Sequence, residues 1–297
     1  MLTTFLAASA ISFSIALAPL PAAAADTATT PDSATAPAGA RTVLAERFGD
    51  PGIGPGRAWG WQSAAYANCT YNPNSWKHDR LSRSALSDQQ GHLRFTATHR
   101  EDGDWDTGLL TTGDSCDSGG SGFQVHAGDL VLVHVRLPEA DSGAWPCLWT
   151  WRDGGNEVDL FEWYADHPDR IEFVNHVRSG STVYSDENVG AGRWIYVAVR
   201  LGADNDTWYV GPTEDRLTEV WSDGTGVGAD FAAYLILNLS ISDGSFHLPP
   251  ASTAPVTMDV DLLTVERPTL HQRNSAGGVL AGSTASSRTR LPQTTSR

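Results

Sequence analysis

The chain has 297 residues, with 20 Lys and Arg against 35 Asp and Glu, a formal charge of −15 and eleven tryptophans. The charge is unevenly laid out: positions 41–267 hold 16 basic and 33 acidic residues, and positions 268–297 hold four arginines and no acid. So acidic a body repels polyanions, which argues against nucleic acid, an anionic membrane surface and heavily sulfated polysaccharides as partners.

In chain order, Met1 to Ala25 reads as a secretory leader. An apolar run near Phe5 to Leu20 precedes Ala23-Ala24-Ala25, an A-x-A-type cleavage site, although no Lys or Arg stands before the run. The run is short and broken by Ser and Pro, so secretion is preferred to a membrane anchor. Residues 26–40, rich in Ala, Thr and Pro, read as a flexible linker, and 268–297, rich in Ser, Thr, Gly and Arg, as a disordered tail. Positions 41–267 have the length of one large β domain.

Within that span the period is two. Val131, Val133, Val135 and Leu137 alternate with Leu132, His134 and Arg136, and Ile195, Val197, Val199 and Leu201 alternate with Tyr196, Ala198 and Arg200. Gly, Asp and Asn clusters such as Asp102-Gly103-Asp104, Asp117 to Gly120 and Asp204-Asn205-Asp206 punctuate the strands as turns. There is no long amphipathic helical pattern and no internal repeat, which argues against a propeller or β-helix. Of the three cysteines, Cys69 and Cys116 lie in loop-like surroundings and make the candidate disulfide; Cys147, amid Trp145, Leu148 and Trp149, reads as a small buried hydrophobe. Their spacing fits no zinc template.

Chemistry concentrates between Trp145 and Trp163, WPCLWTWRDGGNEVDLFEW, where Glu157, Asp159 and Glu162 interrupt an apolar, tryptophan-rich stretch. Burying an unpaired carboxylate costs several kcal/mol, so three together imply a use. On a strand Glu157 and Asp159 share one face while Val158 and Leu160 point to the core, and regular alternation would turn Glu162 inward. One extra residue at Leu160 or Phe161, a β-bulge, returns Glu162 to the carboxylate face. Two glutamates then flank one groove, as glycoside hydrolysis with retention requires: a nucleophile and an acid about 5–5.5 Å apart. Asp159 between them would tune both.

The same residues carry a resemblance. Glu157-Val158-Asp159-Leu160-Phe161-Glu162 resembles the E-x-D-x-x-E signature of glycoside hydrolase family 16, and Trp145-Pro146-Cys147-Leu148-Trp149 the segment before it, with Cys147 where alanine is commoner. Gly108 to Thr112, Gly128 to Pro138, Leu235 to Leu239 and Val256 to Asp261 resemble further stretches of that family, in family order, so the likeness spans about Val43 to Glu266. The Trp194 to Trp221 region has no clear family counterpart. The resemblance implies a β-jelly-roll sandwich of two antiparallel sheets with a concave substrate cleft. It implies Glu157 as nucleophile, Glu162 as acid/base and Asp159 as helper, with Trp145 and Trp163 nearest the cleavage point.

Other candidates are open to two readings. Trp105 and Trp151 lie near turns or the carboxylate strand, where cleft and core are equally expected; Trp149 and Trp194 read as core. His176 would donate to Glu162 or to a sugar hydroxyl, or be a structural histidine; Asn238 would face the cleft or satisfy a local backbone group. No cofactor is required by this chemistry. Asp261 and Glu46 resemble the position of a structural calcium in some family members, and oxygen ligands suit that ion. The expectation is a secreted, monomeric, endo-acting retaining hydrolase of a β-linked polysaccharide. The bulged spacing goes in this family with β-1,3-glucanases, agarases and carrageenases, and the acidic body favours a neutral β-1,3-glucan. A lectin-like binding sandwich, a transglycosylase and a galactanase are the alternatives.

Overall fold

Alternation is what builds the interior. The computed structural model describes residues 39–71, 76–89 and 91–269; the expected leader, all but the end of the expected linker, and the expected tail beyond Thr269 lie outside them. The strands are β1 (Ala40–Glu46), β2 (Asp79–Leu81), β3 (Leu86–Asp88), β4 (Leu93–His99), β5 (Trp105–Thr111), β6 (Val125–His126), β7 (Leu130–Arg136) and β8 (Ala144–Trp151). They continue as β9 (Val158–Trp163), β10 (Arg170–Asn175), β11 (Gly180–Ser185), β12 (Trp194–Arg200), β13 (Thr207–Gly211), β14 (Thr218–Ser222), β15 (Ala232–Ile241) and β16 (Val256–Pro268). Two short 3₁₀ turns are the helical content of the described residues, so no helix there is long and apolar enough to cross a membrane.

The strands form a β-jelly-roll sandwich. One layer runs β11-β10-β9-β8-β15-β5 and the other β4-β16-β7-β12-β13-β14, joined where β4 and β5 pair at Thr98 with Asp106 and His99 with Trp105. Every pairing between strands is antiparallel except β2 on β5. Val131, Val133, Val135, Ile195, Val197 and Val199 are at most 1% exposed and sit opposite one another across β7 and β12. Against them, from the first layer, pack Leu148, Phe161, Phe173, Leu235 and Leu237 in the same core. Each side chain so buried contributes about 1.5–3 kcal/mol, and that favours one register over a slip that would turn every valine outward.

The outer, concave face of the first layer is divided. The β8 residues Trp145, Cys147, Trp149 and Trp151 project from it; the register sets Cys147 opposite Glu162 and Asn238, and Trp149 opposite Asp159 and Ile236. Residues 61–71 and 76–81 cover one half: Tyr66 and Leu81 pack on Leu109 and Ile236, with Trp149 and Trp151 at the margin. Tyr66 donates its hydroxyl to Asp79 Oδ2 at 2.7 Å, and Asp79 Oδ1 accepts from Ile241 N at 2.9 Å. The Cys69–Cys116 disulfide, closing a separation of 47 positions, ties the cover down, and Cys147 remains a buried free thiol.

Replacing Cys69 and Cys116 by serine is expected to lower stability by about 4 kcal/mol on the chain-entropy account of a loop this long, read from denaturant unfolding. New proteolytic nicks within 61–81 should accompany the loss. An unchanged midpoint would mean that the cover is held by its packing and the Tyr66–Asp79 bond alone.

Candidate active site

The open half of the concave face is a cleft of about 480 Å³ whose lining includes Glu157, Asp159, Glu162, Glu172, His176 and Trp145. Its geometry depends on one irregularity in β9. Against β8, Phe161 pairs with Leu148 and Asp159 with Trp149; against β10, Glu162 pairs with Glu172 and Asp159 with Val174. The strand β9 therefore carries one more residue than either neighbour at Leu160–Phe161, the expected bulge. Leu160 and Phe161 both turn to the core, at 1% and 0% exposure, and Asp159 and Glu162 both turn out.

The carboxylates then meet defined partners. Glu162 accepts from Trp145 Nε1 at 2.8 Å on Oε1 and from the Tyr164 hydroxyl at 2.9 Å on Oε2. Asp159, 3% exposed, pairs through Oδ2 with His176 Nε2 at 3.0 Å, and the Cys147 thiol donates to its Oδ1 at 3.8 Å. Glu157 immediately precedes β9, and its carbonyl accepts from His176 N at 3.1 Å. Polar atoms of Glu157, Asp159 and His176 lie within 4.8 Å of one another, as do those of Cys147, Asp159 and Glu162.

Burial and mutual repulsion shape the protonation. Burial first, then the charge of Glu162, push Asp159 up to about 7. The hydrogen bond that His176 donates to Asp159 pushes His176 up to about 9, against its partial burial. Burial raises Glu157, with His176 and Lys77 opposing, and burial followed by the charge of Glu162 raises Glu172. One carboxylate accessible as a nucleophile and another held by donors beside it is the arrangement that acid/base-assisted displacement at a sugar carbon needs.

Several sequence expectations are corrected. Trp163 is fully buried in the core and donates Nε1 to Pro168 O at 3.0 Å; once Glu162 faces out, its neighbour must face in. Trp105 is 2% exposed and sits in the core, its edge toward His99 and a separate groove beside Pro249 and Pro250. Asn238 is buried, with Oδ1 accepting from Trp149 Nε1 at 2.8 Å and Nδ2 donating to Ser240 Oγ at 2.7 Å, so it positions Trp149 and does not line the cleft. Trp151 shares the concave face with Trp145 but stands roughly 20 Å along β8 from it, packed on Trp149. His176 reaches Asp159 and not Glu162. Glu46 accepts from Phe48 N and Trp59 Nε1, and Asp261 pairs with His134 Nδ1 at 2.7 Å; the register sets Glu46 opposite Leu263, two residues from Asp261 on the neighbouring strand.

The cleft also gathers residues that the sequence reading passed over. Trp76 and Phe246, 57% and 62% exposed, stack at 5.9 Å and 21°, and Phe246 stacks in turn on Trp145 at 6.3 Å. Lys77 Nζ lies 4.3 Å from the Trp145 ring. Tyr164 and Glu172 complete the acidic end. Glu172 carried a signal: it has the strand parity of His176 and Val174.

No family model matches the sequence, and no curated protein matches it. Solved structures do share the fold. An endo-β-1,3-glucanase from Pyrococcus furiosus superposes with a TM-score of 0.61 at 18% identity, over 77% of this chain and 94% of that one. The laminarinase catalytic domain from Thermotoga maritima gives 0.60 at 19% identity, over 77% and 99%. A non-specific endo-β-1,3(4)-glucanase from glycoside hydrolase family 16 gives 0.61 at 18%, over 80% and 95%. The chain thus has the laminarinase-like jelly-roll fold.

His176 is expected to titrate near 9, followed by the NMR shift of its ring protons. Its folded value is raised above the unfolded one, so the stability it contributes is complete below about 6.5 and lost as pH rises through about 9. In Asp159→Asn the titration should fall from about 9, because the largest raising cause is lost and only Glu157 and Glu162 then oppose burial; a value unchanged in that variant would remove Asp159 as the cause.

Proposed function

We propose that this chain is a secreted, monomeric, endo-acting glycoside hydrolase that cleaves a β-linked glucan, β-1,3-glucan first, with retention of configuration. The observation that carries this reading is the bulge that sets Glu157, Asp159 and Glu162 on the wall of one cleft. The glucanases that share the fold support the same substrate class.

In this mechanism Glu157 attacks the anomeric carbon while Glu162 passes a proton to the leaving oxygen, giving a covalent glycosyl-enzyme. Glu162, now ionised, takes a proton from water, and the hydroxide equivalent displaces Glu157 with a second inversion. Asp159, bonded to His176 at 3.0 Å, holds a charge close to both glutamates that can be neutralised through its partner. A neutral chain suits the cleft: Glu157, Asp159, Glu162 and Glu172 face only His176 and Lys77, so an anionic galactan would meet net repulsion. The exposed Trp76–Phe246 pair offers flat apolar faces for pyranose rings.

Glu157→Gln should reduce release of reducing ends from laminarin by roughly 10³-fold or more with the fold intact, and the first product seen by proton NMR of the wild type should be the β anomer. Full activity in that variant would remove the nucleophile assignment, and an α anomer would replace retention by inversion. Glycan binding with no release from laminarin, mixed-linkage glucan, agarose or carrageenan would favour a binding module. Trp76→Ala should raise KM about three- to tenfold, the worth of one stacking contact, with kcat little changed.

A further inference from the structure

Two aromatic donors hold Glu162, Trp145 Nε1 on one oxygen and the Tyr164 hydroxyl on the other, and a third ring holds the donors. His247 stacks on Tyr164 at 3.4 Å and 20°, and meets Trp145 edge to face at 5.6 Å and 75°. Trp145 and Tyr164 lie 5.2 Å apart and tilted by 58°, so the imidazole completes a three-ring cluster whose two outer polar tips both reach Glu162. Its place is set by its loop. Phe246 and Leu248 are 62% and 60% exposed, whereas the His247 side chain between them is 14% exposed. Asp166 Oδ1 lies 3.3 Å from its Nδ1, Asp166 Oδ2 accepts from Leu248 N at 3.1 Å, and Ser242 Oγ donates to the His247 carbonyl at 2.7 Å. The far nitrogen, Nε2, is buried without a partner among the described residues. An unpaired buried nitrogen is destabilising, and a phenylalanine would bury the same face without it, so loop stability alone does not account for a histidine here. Burial, against the pull of Asp166, lowers the titration of His247, and at neutral pH the ring is an uncharged slab.

We infer that His247 is a positioning residue for acid catalysis: wedged against Tyr164 and Trp145, it fixes the two donors that aim the Glu162 carboxyl at the leaving oxygen. The inference rests on the assignment of Glu162 as acid/base made above. His247 touches no reacting atom, and it is its neighbour Phe246 that lines the cleft. Without the imidazole, Tyr164 is free to turn into the vacated space and Trp145 loses its edge contact. The carboxyl then keeps its charged neighbours and loses its aim. A misplacement of about 1 Å at a reacting group costs on the order of 10²-fold in rate.

The test compares two substrates in wild type, His247→Ala and His247→Phe by kcat/KM, which reports the steps up to departure of the leaving group. Laminarin needs a proton on its leaving oxygen; an aryl β-laminaribioside with a dinitrophenolate leaving group does not. Alanine should lower kcat/KM on laminarin about 10- to 100-fold and change it on the aryl substrate by no more than about threefold. Phenylalanine restores a flat ring and should recover most of the loss. A loop that is merely loosened, shifting Phe246, would depress both substrates together, so equal losses overturn the inference, as does full laminarin activity in the alanine variant. Asp166→Ala releases Nδ1 and Leu248 N with the ring retained, and should show the same selective loss at a smaller size; should the His247→Ala protein not fold, an equal loss on both substrates in Asp166→Ala overturns the inference in its place. The Trp145 indole proton, followed by NMR, needs no substrate. Held on Glu162 it exchanges slowly with water, and in His247→Ala it should exchange several-fold faster. Unchanged exchange overturns the positioning. Faster exchange in that variant, with neither substrate cleaved by the wild type, leaves the positioning in place and removes the hydrolase assignment.

Discussion

The extra residue in β9 is the constraint from which the site follows. With regular alternation Val158, Leu160 and Glu162 would share the inward face, and Glu162 would enter the dry core that holds Phe173 and Trp208. An unpaired carboxylate there costs several kcal/mol, more than the backbone bonds lost at a bulge and a sizeable part of a domain's net stability. Turning both Leu160 and Phe161 inward settles the conflict: the core gains an aromatic ring, and Glu162 moves to the face of Asp159 and Glu157. Core hydrophobicity and site geometry are thus one requirement.

That solution transfers a cost to the concave face, where four acidic groups crowd one cleft. Donors offset it unequally. Asp159 has a histidine and a thiol, and Glu162 an indole and a phenol, yet burial still raises Asp159, as it raises Glu157 and Glu172. Groups so close titrate as a set. The unequal environments are what allow chemically identical carboxylates to hold different protonation states at one pH, and acid/base work needs that difference.

How much of this was legible in the sequence depended on the range of the interaction. Period-two patterning placed Val131 to Leu137 and Ile195 to Leu201 inside, and the charge of Glu162 against that pattern located the bulge to within a residue, because both are local consequences of strand geometry. Trp163 was also decidable: the parity that turns Glu162 out turns Trp163 in, and only the family likeness pointed the other way. Trp105 and Asn238 were ambiguous, since a ring or amide on a buried strand reads the same whether its partner is a ligand or Trp149. Trp76 and Phe246 were out of reach. They stand 170 positions apart, and their stacking depends on how the covering segment docks on the sheet.

The division of the concave face joins stability to function. A sheet face wholly open would expose Trp149, Trp151, Leu109 and Ile236 as one apolar patch, an aggregation liability; a face wholly covered would leave no cleft. Tyr66 and Leu81 bury the β5 side, and Trp76 and Lys77 stand at the cleft margin. The border runs along β8 and β15, where Cys147 and Asn238 are buried, small and internally bonded, and neither competes for what lies in the cleft. Because the same segment seals the apolar half and supplies the aromatic wall of the other, a change that loosens the cover acts on the cleft as well as on the fold. The disulfide at Cys69 and Cys116 acts on both for that reason.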